Sequence, residues 1–131
     1  MSSAGSILDK LLLHAVAADA NYSTTRGVKV VNSMNDEDFP HAFAYEPRMA
    51  IARLAFLQEN VSGDFTILLA TKGETQEQLL VRSDAFRARI QADRTLTGEV
   101  DTAYVSSIDV LEDPRTRIKA AQIIVSTEEF E

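Results

Sequence analysis

The sequence contains no cysteine and only two histidines among 131 residues. Without cysteine there are no disulfides, thiolate metal sites or cysteine nucleophiles. His14 and His41 stand far apart in the chain, and no His-Glu-x-x-His spacing occurs, so a histidine-based zinc centre has no ligand set. A serine or threonine nucleophile needs a base within hydrogen-bond reach. The simpler reading of His14 is a partly buried helix-flank residue, and of His41 the first residue of a strand. The five glycines, Gly5, Gly27, Gly63, Gly73 and Gly98, are scattered, and none belongs to a phosphate-cradling loop closed by lysine. No apolar run approaches the ~20 residues that span a bilayer, and Met1 to Gly5 lack the basic segment of a signal peptide. The expectation is a soluble chain made in the cytoplasm, with no catalytic, metal or cofactor residue, that is not an enzyme and does not enter a membrane.

Positive charge is also scarce. Thirteen basic residues against twenty acidic ones give a net charge of -7 and a sequence pI of about 4.8. Such a balance repels phosphate and supplies no basic patch for DNA. Two acidic clusters stand out. Asp36, Glu37 and Asp38 lack the glycine and the distal glutamate of a calcium hand and read as a solvated loop. Glu128, Glu129 and Glu131 read as a frayed terminus. Of the basic residues, Arg82, Arg87, Arg89 and Arg94 read as the solvated face of a helix.

What is present is an ordinary globular composition, 45% hydrophobic and 25% charged, at a length that suits one domain over residues 1–131. Ile7, Leu8, Leu11, Leu12 and Ala15 recur at helical spacing and predict a first helix from about Ser6 to Ala18. Asn21 to Gly27 reads as a loop and Val28 to Val31 as a short strand. From His41 to Tyr45 larger residues alternate with alanine, the period-2 pattern of a strand, which Pro47 is expected to end. Thr75 and Gln78 have capping-box spacing ahead of a second helix ending near Ala92, with Leu79, Ala85, Phe86, Ala88 and Ile90 on its apolar stripe and Val81 off it. A long strand carrying Val100, Tyr104, Ile108 and Val110, a turn at Asp113 and Pro114, and a last strand from Ile118 to Thr127 complete the chain.

Met49 to Leu57 has a single polar residue, Arg53, so a strand there would offer apolar side chains to both sheet faces. Val61 to Asp64 supply turn chemistry, and Phe65 to Thr71 reads as the returning partner of a hairpin. The fold class is therefore α+β, a mostly antiparallel sheet with two helices on one face in the order α-β-β-β-β-α-β-β. The apolar excess around Met49 to Leu57 suggests burial against another chain. Arg53, Leu54, Phe56, Leu57, Phe65 and Ile67 are the candidate interface residues, with Arg53 needing a carboxylate partner inside the chain or across a subunit boundary.

One segment also carries a likeness. Asp36-Glu37-Asp38-Phe39-Pro40-His41-Ala42-Phe43-Ala44-Tyr45, an acidic loop, a Phe-Pro pair and an alternating strand ending in tyrosine, resembles the tail terminator (tail-completion) proteins of long-tailed bacteriophages, of the phage lambda type. The order of elements, the chain length and an acidic last strand around Phe130 agree with it. The resemblance implies a virion protein, assembled in the host cytoplasm, that closes into a six-membered ring, stops tail-tube polymerisation and joins the tube to the head or neck. Its partners would be itself, the tail tube protein and a neck or head-completion protein, with DNA passing through unbound. A neck or head-closure component is the nearest alternative, and a small ligand-binding or regulatory domain the alternative of another class.

Overall fold

The computed structural model describes residues 4–18, 22–26, 39–53, 59–113 and 117–130. In chain order these form α1 (Ala4–Ala18), β1 (Ser23–Arg26), β2 (His41–Arg53), β3 (Glu59–Lys72), α2 (Gln76–Ala92), β4 (Thr102–Asp113) and β5 (Ile118–Phe130). The strands form one sheet in the order β1-β2-β3-β5-β4. Only the β1–β2 pair is parallel; β2–β3, β3–β5 and β5–β4 are antiparallel. The α+β class and the expected order both stand, with the second and third expected strands now the two halves of β2.

Three local expectations are corrected. Ser23 to Arg26 is not loop but β1, whose Thr24 and Thr25 suit a pleated edge even without an apolar period. Pro47 does not end a strand. Tyr45 pairs with Thr66 and Arg48 with Asp64, so Glu46 and Pro47 together oppose Phe65 in a bulge, the place in a sheet where a residue lacking an N–H is tolerated. Val61 to Asp64 are not a turn either, because they lie inside β3, paired on one side with β2 and on the other with β5. The glycine there serves close approach: a Cβ on Gly63 would stand 2.9 Å from Phe65 Cε2 and 3.3 Å from Thr127 Oγ1. Val28 to Val31 and Asp36 to Asp38 lie outside the described residues.

Both helices pack on the same face of the sheet. The register places Ala42, Ala44, Phe65, Ile67, Leu69, Ala121, Ile123 and Val125 on that face, and they share one core with Ile7, Leu8, Leu11, Leu12 and Ala15 of α1 and Leu79, Phe86 and Ile90 of α2. The other face is not bare. Around Phe43 it holds a small second core with Ala70 and Ala120, against which Phe39 and Leu68 pack, and the ring of buried His41 stacks on Phe43 at 4.4 Å. Toward β4 that face opens, and Tyr104 and Leu111 are each half exposed.

Helix α2 starts where its cap dictates. Thr75 Oγ1 accepts from Gln78 N at 3.1 Å, and the Gln78 side chain accepts from Thr75 N at 2.8 Å, satisfying two backbone donors that the helix itself cannot. Thr75→Ala is expected to lower stability by about 1 kcal/mol, read as a lower urea midpoint with an unchanged slope. Of the expected stripe, Leu79, Phe86 and Ile90 are buried and Ala85 partly so, but Ala88 is exposed, which narrows the face that α2 turns to the sheet.

Candidate interaction surfaces

Of the expected interface residues, Arg53, Phe65 and Ile67 lie among the described ones. Phe65 and Ile67 are fully buried beneath the helices within one chain, so they belong to the core and cannot present a surface to a second subunit. Their place follows from parity, since residues 65, 67 and 69 of β3 all point to the helix side. Leu54, Phe56 and Leu57 lie outside the described residues. Arg53 is the last residue of β2, and its register partner is Glu59. Of the motif segment, Phe39 and Pro40 are half buried, Pro40 O accepts from Ser23 N at 3.1 Å, and Tyr45 pairs with Thr66.

Among the described residues no three His, Asp or Glu side chains are grouped so as to hold a metal ion, and no helix is long and apolar enough to cross a membrane. A histidine–carboxylate pair ties two parts of the scaffold together. His14 Nε2 lies 2.8 Å from Asp93 Oδ2. An ionised carboxylate can only accept, so the proton resides on Nε2. Asp93 follows the last residue of α2 and also accepts from Thr97 N at 2.8 Å and Thr97 Oγ1 at 2.9 Å. Burial pushes this carboxyl up, but the Thr97 backbone and side-chain bonds and the His14 contact outweigh it and hold it below its ordinary value. The loop it organises is unusual: Leu96, Thr97 and Gly98 have φ of 49°, 58° and 87°, a left-handed run in which only the glycine is at ease. Leu96 is fully buried there. Sequence spacing gives no hint of this pairing, because its partners are 79 positions apart.

A second polar group fixes the start of α2. Arg82 donates from Nε and Nη2 to both carboxylate oxygens of Glu74, and its guanidinium lies 5.4 Å from the centre of the Tyr22 ring. Lys119 Nζ donates to Glu74 O at 2.7 Å. Of the four arginines expected to be simply solvated, Arg82 is therefore part of the scaffold, whereas Arg87, Arg89 and Arg94 are exposed.

Three surfaces remain. The first is the open part of the helix-free face, where Ser126 Oγ lies 2.9 Å from both Asp64 Oδ1 and Ser106 Oγ, a polar row across β3, β5 and β4 next to Tyr104. The second is a groove of about 300 Å³ between α1 and β1, lined by Asp9, Leu12, Leu13, Val16 and Thr24. The third lies between α2 and β4, about 130 Å³ lined by Arg87, Ile90, Gln91, Arg94, Ala103, Tyr104 and Val105. It continues past Arg87 into a shallower groove at the β4 bulge formed by Val105, Ser106, Ser107 and Ile108. Among the described residues none of the three brings together a nucleophile, a base and an orienting group; the first is a polar row beside Tyr104, and the other two have apolar lining with a charged margin.

No family model and no curated protein matches the sequence. Among solved structures, a chain of the "virion of native gene transfer agent (GTA) particle" matches with a TM-score of 0.52 and 8% identity, over 98% of this chain and 97% of that one. At that identity the likeness is one of fold, and it spans both chains almost from end to end.

Proposed function

We propose that this protein is a structural component of a virion: a subunit that closes into a homo-oligomeric ring, six-membered by the family resemblance, ends tail-tube polymerisation and joins the tail to the head or neck. The observation that carries the reading is the end-to-end likeness of fold to a chain of a virion particle. It coincides with the tail-terminator-like segment around Phe39, Pro40 and Tyr45. The physical argument is compatible with it. Small subunits that meet head to tail build a finite annulus when the rotation closes, and such a ring has two distinct faces, one for the tube and one for the neck.

In this reading the chain performs no catalysis, and its work is recognition between surfaces. A net charge of -7 disfavours adhesion of DNA passing through the ring. Negative-stain microscopy of the purified protein mixed with tail tubes provides the test. The expected image is a ring seated at one end of each tube and tubes that grow no further. Uncapped tubes of unlimited length, with the protein bound instead to isolated portal or neck assemblies, would reassign it to the neck.

A further inference from the structure

We infer that the ring contact is made by two different flanks of the subunit, the α2–β4 groove of one copy receiving the α1 face around exposed Leu13 of the next. This rests on the ring reading and specifies its interface. The sheet order puts β1 and β4 at opposite edges of the described sheet, and each helix lies over its own edge, α1 over β1 and β2, α2 over β4 and β5. Each edge therefore ends in a groove between a helix and a strand. The two grooves differ in chemistry. On the α2 side Arg87, Gln91 and Arg94 follow one another at spacings of four and three residues and stand exposed beside β4. Neither arginine has an ion-pair partner among the described residues. On the α1 side the wall is apolar, with Leu13 60% exposed beside Val16, and its charged member is the carboxylate of Asp9.

This difference decides the kind of contact. A two-fold contact through the α2–β4 flank would set Arg87 and Arg94 against their own copies, and like charges face to face disfavour that arrangement. Meeting the α1–β1 flank instead covers Leu13 and places the arginines beside a carboxylate on a body of net charge -7. A second copy, presenting Leu13, is thus the occupant that the α2–β4 groove fits. Because the flanks are at opposite edges, the contact repeats in one direction, as a closed ring requires.

The test mixes two variants. Leu13→Gln removes the apolar contact of one flank without adding a charge, and Arg87→Glu with Arg94→Glu disables the other; all three positions are exposed, so circular dichroism and the urea midpoint should match the parent. By sedimentation velocity at up to several hundred micromolar, the parent should form a discrete ring and each variant alone should be a monomer. An equimolar mixture should form dimers and nothing larger, since every pair has one intact pair of flanks and two dead ends. Rings from either variant alone, or a mixture that stays monomeric, would overturn the assignment of these flanks while leaving the ring intact. A parent that is itself monomeric throughout would overturn the ring and this interface together.

Discussion

Replacing Phe65 with alanine is expected to cost about 3–5 kcal/mol, a large part of the roughly 5–15 kcal/mol that holds a domain of this size together. The ring is fully buried in the core that both helices share with β2, β3, β4 and β5. Its edge fills the space that Gly63 leaves by having no side chain. Gly63 cannot move in to refill the gap, because it is held by ladders on both sides. Truncation therefore leaves a cavity as well as losing the transfer free energy of the ring. Urea titration checks this: the midpoint should fall steeply while the slope stays that of the parent. Any loss of assembly in Phe65→Ala should track unfolding. In Leu13→Gln, by contrast, assembly should fail with the midpoint unchanged.

The second large effect is expected at Asp93. Its carboxylate joins α1, through His14, to the left-handed turn at Leu96 and Thr97. Asp93→Ala removes the acceptor for all three contacts and leaves Thr97 N and a largely buried imidazole to find water. The expected cost is about 1–3 kcal/mol at neutral pH. The pH dependence has a definite sign. Because hydrogen bonds hold this carboxyl below its ordinary value in the folded chain, its stabilisation is fully present above the ordinary carboxylate range. It is lost as pH falls through the lowered value. The parent should therefore lose stability more steeply than Asp93→Asn on acidification below the ordinary range, and the two curves should converge. Parallel curves would show that Asp93 is not a linked group.

How much of this was legible in the sequence depended on whether the signal was local. The capping box at Thr75 and Gln78, the stripe of Leu79, Phe86 and Ile90, and the stripe of α1 all act within a few residues, and they marked both helices. The β4–β5 hairpin was legible because Asp113 and Pro114 separate two runs rich in β-branched residues. β1 was not, since Ser23 to Arg26 carries no apolar alternation and is held by parallel pairing with β2, fifteen or more positions away. The Val61 to Asp64 segment misled for a different reason. Glycine beside serine and aspartate looks like turn chemistry, but here the glycine makes room for Phe65 and the aspartate meets Ser126 across the sheet. That error also moved Phe65 and Ile67 from the core to a supposed interface.

The surfaces were less legible than the fold. Leu13 lies off the α1 stripe, and Arg87 and Arg94 are ordinary helix-face residues in sequence. Only the strand order separates these groups to opposite edges and so gives them different partners.

The account stands on lateral self-association of this domain, and the mass of the purified protein in solution tests that most directly. A single discrete oligomer several times the 14.4 kDa subunit, unchanged over a wide range of concentration, is the predicted result. A 14.4 kDa species at every concentration would contradict it.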